Sequence, residues 1–168
     1  MGDKLTIHSE TPEVTTLSMG RLFVTRWHVP PHAVAFARVS GDVERITREQ
    51  RNVCYVGISD EHSGTPDEPT QKLLVSTALG ILRRVEAMHL VVEGDSLKSS
   101  LSRTLFRGMI MAAKLGNKVV GFEVGELANK VTLRDSTEAL LKLLPDALGC
   151  SRGDVAGAFD RARAHPQP

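Results

Sequence analysis

The chain has 168 residues, of which 41% are hydrophobic, and this is enough for one domain with a core of ordinary size. Its 21 basic and 20 acidic residues give a formal net charge of +1, and only 4% of the residues are aromatic. The chain therefore lacks both the basic field and the stacking surface typical of nucleic-acid binding, and we expect no nucleic-acid partner.

The N-terminal segment and the cysteines bear on the protein's location. The first 20 residues lack the apolar segment of a signal peptide, and no run approaches the roughly eighteen apolar residues of a membrane span. Cys54 and Cys150 do not form a CxxC pair, and a chain of this length does not need a disulfide in order to fold. We expect a soluble cytoplasmic protein with two reduced thiols, no cofactor and no membrane partner.

The start of the chain predicts a flexible arm followed by a β-hairpin. Residues 1–20 mix Ser, Thr, Pro and Glu with isolated apolar residues, which predicts an arm with at most a short edge strand. Arg21–Val29 is rich in β-forming side chains, and Pro30-Pro31 ends it by fixing φ and removing backbone donors. His32–Ser40 resumes an apolar pattern, which indicates the second strand of the hairpin.

A short helix, a central strand, an acidic loop and a longer helix come next. Val43–Arg51 sets apolar residues among charges, which predicts a short surface helix with Asp42 as its N-cap. Val53–Ile58, VCYVGI, has the composition of a strand covered on both faces. Ser59–Pro69 consists largely of turn-forming and acidic residues, so we expect an exposed loop at the carboxyl end of that strand. Apolar residues recur at helical spacing over Thr70–Glu86 and predict an amphipathic helix.

The segment Met88–Leu115 gives the clearest structural signal. It predicts a buried strand over Met88–Val92 and a helix over Leu97–Leu115, with Ser96 as its N-cap and Gly116-Asn117 as its C-cap. A stripe of core residues is expected along this helix, made by Leu97, Leu101, Leu105, Met109 and Ala112.

The remaining segments complete an alternation of strands and helices. Lys118–Val124 predicts a strand, Thr137–Leu144 a helix, and residues 149–168 a C-terminal helix or tail. Alternating strands and helices favour a mostly parallel sheet with right-handed crossovers, which the opening hairpin makes mixed. The expected fold class is therefore α/β, a mixed and mostly parallel sheet flanked by helices, in a single domain over residues 21–148.

The turn at Gly94 is a candidate site for a small anion. A helix N-terminus presents unpaired N–H groups and a partial positive charge, and here Ser96, Ser99 and Arg103 lie within its first two turns. The glycine spacing matches neither a Walker loop nor a dinucleotide fingerprint. The structural alternative is that Ser96 only caps the helix while Arg103 and Arg107 are solvated.

The loop Ser59–Pro69 is a second candidate site. Its carboxylates and His62 have the chemistry of a general base or a metal site, with Ser96, Ser99 and Arg103 as the groups that would hold a phosphate or carboxylate. Its spacing matches no metal motif, and the sequence has no GxSxG, HExxH or CxxC. We therefore assign no catalytic and no metal-binding residue, and an ordinary solvated acidic loop remains the alternative.

The far end of the helix Leu97–Leu115 carries more apolar residues than one domain face covers. Met109, Ile110 and Met111 spread beyond the expected core stripe, and methionine is common at adaptable association surfaces. Either this helix is deeply buried, or it packs on a partner protein or a second copy with Arg107 in a polar rim.

Four segments within Leu22–Leu144 together resemble a STAS domain, the family of anti-sigma-factor antagonists and related regulatory modules. The segments are VAFARVSGD, VCYVGISD, LVVEGDS and DSTEALLKL. The resemblance implies a STAS-like scaffold that acts by binding proteins. Phosphorylated members of the family carry a Ser or Thr in a D-S-x-G-like turn, and Ser63-Gly64 lies at that position without the preceding Asp. Ser63 is accordingly the possible phosphorylation site.

These observations favour a non-enzymatic regulatory or scaffold domain that binds a protein partner, with a homodimer as one form of that binding. One alternative is a sensor that binds a small anionic ligand at the turn over residues 94–103. The other is a small enzyme that uses the loop over residues 59–69.

Overall fold

Six β-strands form one sheet in the order in which they occur along the chain. The computed structural model describes residues 3–64, 66–115 and 122–164. The strands are β1 (Leu5–Glu10), β2 (Val14–Met19), β3 (Leu22–Trp27), β4 (Cys54–Ser59), β5 (Ala87–Val92) and β6 (Val131–Arg134). The helices are α1 (Ala33–Glu49), α2 (Glu68–Leu82), α3 (Leu97–Leu115), α4 (Phe122–Asn129), α5 (Glu138–Leu148) and α6 (Arg152–Arg163).

The sheet is antiparallel at one side and parallel at the other. β1, β2 and β3 form an antiparallel meander, and the turn between β2 and β3 places Gly20 at a φ of +53°, where glycine is favoured. β3, β4, β5 and β6 are parallel, and each connection between them contains a helix. The predicted α/β class with a mixed sheet flanked by helices is therefore confirmed.

Side chains alternate between two apolar cores, one on each face of the sheet. Phe23 and Tyr55 point to the face covered by α1, α2 and α4, whereas Val24 and Val56 point to the face covered by α5 and α6. Because both faces are covered, β3 and β4 are buried almost along their whole length. The molecule thus has three layers, with the sheet in the middle.

The prediction of a flexible arm over residues 1–20 is wrong, because β1 and β2 belong to this sheet. β2 is buried throughout despite its Ser and Thr residues. Its polar side chains have partners: the Thr16 hydroxyl donates to Asp42 at 2.7 Å, and Ser18 is hydrogen-bonded to His8 at 2.7 Å. These partners lie far along the chain or on the neighbouring strand, so composition alone did not indicate them.

The second strand of the predicted hairpin, His32–Ser40, and the separate short helix Val43–Arg51 are also wrong, because α1 spans both segments, whereas the first strand of the hairpin contains β3. Its buried residues recur at helical spacing: Ala35, Val39, Val43 and Ile46. Asp42 is consequently not an N-cap but lies inside α1, where its carboxylate accepts hydrogen bonds from Ser9 and Thr16. The hairpin that opens the parallel part of the sheet is formed by β2 and β3 instead.

The C-terminal half differs from the prediction in three places. Residues 116–121 lie outside the described part of the chain, and they include the predicted cap Gly116-Asn117 and most of the predicted strand Lys118–Val124. The end of that predicted strand, residues 122–124, lies in α4. The strand that completes the sheet is β6. The segment 149–168, predicted as a surface helix or tail, contains α6, which buries Val155, Ala158, Phe159 and Ala162 against the sheet.

Candidate functional site

The turn after β5 is closed by its own side chains. The Ser96 hydroxyl accepts the N–H of Ser99 at 3.1 Å and so caps α3. The buried Ser99 hydroxyl donates to the carbonyl oxygen of Glu93 at 2.8 Å. Gly94 has a φ of +96°, and a Cβ there would lie 3.2 Å from the Ser99 oxygen, so both backbone and space favour glycine.

Arg103 ties α3 to the end of β5. Its Nη1 donates to the carbonyl oxygens of Val92 and Gly94, each at 2.8 Å. The four residues predicted to hold an anion, Gly94, Ser96, Ser99 and Arg103, are therefore neighbours, but these hydrogen bonds join them to the protein itself. The arrangement is that of a helix cap and a clamp on the strand end.

Asp60 organises the loop after β4. Its carboxylate accepts the N–H groups of His62 at 2.9 Å and Ser63 at 3.1 Å, and it forms an ion pair with Arg26 of β3. The Arg26 side chain is only 9% exposed and the Asp60 side chain 23%. Burial would raise the pKa of Asp60, but the hydrogen bond and charge of Arg26, with the two N–H groups, together hold it below its usual value.

Ser63 is fully buried within this loop. Its hydroxyl donates to the carbonyl oxygen of Trp27 at 2.7 Å and accepts the N–H of Asp60 at 3.1 Å. A kinase needs the hydroxyl to be accessible, so phosphorylation of Ser63 requires this loop to open.

The enzyme hypothesis expects His62 and Arg103 to face one cleft. His62 is largely exposed and lines a shallow groove with Glu61, Lys98 and Leu101. Arg103 does not line that groove and is bonded to the end of β5. The structure therefore does not bring together the base and the anion-binding group that this hypothesis requires.

Other reactive groups are buried rather than activated. Desolvation raises the pKa of the Cys54 thiol to about 12 and that of the Tyr55 hydroxyl to about 12, so neither is a nucleophile near neutral pH. Within residues 3–64, 66–115 and 122–164, no group of three or more His, Cys, Asp or Glu residues is arranged to hold a metal ion.

The residues predicted to form an interface lie on two faces of α3. Arg107 is exposed and Met111 is 55% exposed, whereas Met109 and Ile110 are partly buried and face the sheet side of the helix. The expected core stripe is partly wrong, because Leu97 is 77% exposed and Leu101 is 60% exposed.

An exposed stripe without charge runs along α3, and we call it the α3 stripe. It consists of Leu97, Leu101, Thr104, Gly108 and Met111, all of which are exposed. At 100° per residue these five positions fall within about 80° of the helix circumference and extend for about 21 Å. The Thr104 hydroxyl donates to the carbonyl oxygen of Ser100 at 3.0 Å and is thereby turned back to the helix.

A separate apolar cavity of about 210 Å³ lies between the sheet and the helices α2 and α3. Gly57 and Leu90 line it from the sheet, Ala78 from α2, and Leu105 and Met109 from α3.

Sequence reasoning did not predict this cavity. One signal was present: Gly57 interrupts the otherwise bulky strand VCYVGI, and a glycine inside a strand often marks a close approach of a ligand or of another backbone. The stand-off of α2 and α3 from the sheet depends on packing between distant segments, and no local pattern reports it.

Comparisons with known proteins do not assign the chain to a family. No protein-family model, no curated protein and no solved structure matches the chain. In the described part of the chain, no helix has the length and apolar character needed to cross a bilayer.

Proposed function

We propose that this chain is a non-enzymatic regulatory or scaffold domain that acts in the cytoplasm by binding a protein through the α3 stripe. The observation that carries the proposal is a 21 Å exposed helix face that contains three large apolar residues and no charge. Large exposed apolar patches on soluble domains typically mark association surfaces.

The distribution of exposed apolar residues supports this surface. In the described residues, most of the exposed large hydrophobic side chains lie on α2 and α3, namely Leu73, Val75, Leu97, Leu101 and Met111, against Ile7, Val34 and Leu143 elsewhere. Arg107 and Lys98 are exposed beside the stripe and would form its polar rim. Gly108 has no atom within 4 Å of a Cβ built on it, so it leaves room for a partner side chain.

A second copy of the chain is the simplest partner that fits this pattern. Two antiparallel α3 helices centred on Thr104 would bring Leu97 of one copy beside Met111 of the other, and Leu101 near Gly108. The three large apolar residues of the stripe fall short of the roughly 800 Å² per partner in a standard interface. A stable complex must therefore use further exposed surface as well, and α2 offers exposed Leu73 and Val75.

The resemblance to STAS domains is part of this proposal. VCYVGISD and LVVEGDS contain strands that lead to the carboxyl edge of a parallel sheet, and DSTEALLKL leads into a helix, as the resemblance implies. VAFARVSGD is helical and gives it no support. The alternatives of an anion sensor at residues 94–103 and an enzyme at residues 59–69 are less favoured, because the polar groups of both segments are bonded within the protein or lie apart.

The test is a pair of charge substitutions with a matched control. The double variant Leu97→Glu, Leu101→Glu places two carboxylates on the stripe. The control, Leu143→Glu, places one carboxylate on α5, where Leu143 is 48% exposed on the opposite face of the sheet. Sedimentation velocity over a range of concentrations then measures self-association. We expect the wild type and Leu143→Glu to associate equally and the double variant to stay monomeric.

A partner of a different sequence is tested by quantitative affinity purification from the native cell with the same three proteins. A specific partner is lost with the double variant and kept with Leu143→Glu. If the wild type is monomeric and no protein distinguishes the double variant from the control, the proposal fails.

A further inference from the structure

We propose that the cavity beneath α2 and α3 binds a small uncharged aromatic molecule of about eight to ten non-hydrogen atoms. This site is separate from the α3 stripe, because its walls are the inner faces of the two helices and the sheet. The inference does not depend on whether the stripe binds a protein.

The size of the ligand follows from the volume of the cavity. Benzene, with six carbon atoms, occupies an engineered apolar cavity of about 150 Å³. A cavity of about 210 Å³ therefore accepts a molecule about one and a half times as large, such as p-xylene or indole. It is too small for a nucleotide or a long lipid chain.

The chemical class follows from the lining. Aromatic side chains contribute from four elements: Trp27 from β3, Tyr55 from β4, Phe36 from α1 and Phe106 from α3. The rings of Trp27 and Phe36 are stacked, with centroids 5.5 Å apart and an interplanar angle of 8°. A flat ring packs well against such surfaces. No charged side chain of the described residues lines the cavity, so a charged ligand would lose its hydration without gaining a partner.

Gly57 gives the cavity its floor. A Cβ at this position would lie 3.1 Å from Tyr55 Cε1 and 3.3 Å from Leu90 Cδ2, so these two side chains approach the glycine closely and form the floor together with it. Leu90 on the neighbouring strand is only partly buried, although β5 is paired on both sides, with β4 and β6. The partial exposure of Leu90 indicates that the helices above do not fill the space over β5.

Trp27 provides the readout, because it is the only tryptophan in the chain and it lines the cavity. The full chain is titrated with p-xylene while the Trp27 fluorescence is recorded at an excitation wavelength that p-xylene does not absorb. Intermolecular nuclear Overhauser effects are then measured between p-xylene and the Met109 methyl group. We expect saturable binding with a dissociation constant on the order of 0.1–1 mM, the range that a ligand of this size reaches.

The matched variants are Ala78→Leu, which adds three carbon atoms inside the cavity, and Ala147→Leu, which makes the same change at an exposed position of α5. Ala78→Leu is expected to weaken p-xylene binding at least tenfold and Ala147→Leu to leave it unchanged. The charged analogue p-toluate is expected not to bind.

Three results would overturn the proposal. They are the absence of saturable fluorescence change and of intermolecular effects with the wild type, equal binding by Ala78→Leu and the wild type, and equal binding of p-toluate and p-xylene. If Ala78→Leu does not fold, the Met109 contacts in the wild type decide the question.

Discussion

The ion pair between Arg26 and Asp60 can be tested by the substitution Asp60→Asn, which removes one charge with little change in shape. Asp60→Asn keeps an oxygen that can accept the N–H groups of His62 and Ser63 but removes the charge. Arg26 then remains 91% buried without its counter-charge, and its Nε and Nη1 already have no hydrogen-bond partner. Removing one partner of a buried pair costs about 3–5 kcal/mol, and the 23% exposure of Asp60 favours the lower end.

Urea unfolding followed by circular dichroism measures this loss. A loss of about 3 kcal/mol corresponds to a fall of roughly 6–12 °C in Tm for a chain of this size. Arg26→Met is expected to cost less, because Asp60 keeps its two backbone donors and some contact with water. The variant that carries both Arg26→Met and Asp60→Asn should lose less stability than the sum of the two single losses, with a coupling energy of about 1–3 kcal/mol.

The pH dependence supplies an independent check on the same pair. The pKa of Asp60 is lowered in the folded protein, so its contribution to stability is present above the unfolded value of about 3.9 and is lost as the pH falls through the folded value. The difference between the wild type and Asp60→Asn should be constant above about pH 5 and shrink below about pH 4. A coupling below about 0.5 kcal/mol, or a difference that does not change in acid, would show that the Arg26–Asp60 ion pair does not stabilise the fold.

Three further predictions concern other groups. Burial and then the charge of Arg134 lower the pKa of His89, so stability is expected to fall as the pH drops below about 6.5, and less so in His89→Gln; equal acid sensitivity would contradict this. Native protein should react with a thiol reagent at the partly exposed Cys150 long before Cys54, which should react only on unfolding, as mass spectrometry of the labelled peptides can verify. Arg103→Met should destabilise the protein by about 1–3 kcal/mol, because its hydrogen bonds to the end of β5 are lost. Inorganic phosphate should not raise the Tm of the wild type, and a clear rise in Tm would favour the anion-binding hypothesis instead.

The parts of the fold that sequence predicted well are those with a strong local period. β4 and β5 have the compositions of buried strands, and α2 and α3 follow them with helical spacing, with Ser96 as the predicted cap of α3. Each of these signals lies within a few residues of the element that it predicts.

The errors arose where tertiary partners decided the structure. The AVAFARV segment has the composition of a strand, but Ala35, Val39 and Val43 share one helix face, and packing against the sheet favoured the helix. In β2, buried hydroxyl groups such as that of Thr16 are stabilised by Asp42, which lies 26 residues away.

The candidate sites also differ in whether local sequence or tertiary packing determines them. The sequence placed Gly94 in a turn and Met111 outside the core stripe of α3, because each of these patterns lies within a few residues. It did not indicate that Leu97 and Leu101 are exposed or that a cavity lies under α2 and α3, since both depend on how far these helices stand from the sheet.

Whether the α3 stripe binds a protein is decided by sedimentation velocity of the wild type beside the Leu97→Glu, Leu101→Glu double variant, together with the partner analysis of the same two proteins. We expect the wild type to form a dimer or to capture a specific protein, and the double variant to do neither while keeping the wild-type free energy of unfolding. A wild type and a double variant that are both monomeric and capture the same proteins would contradict it.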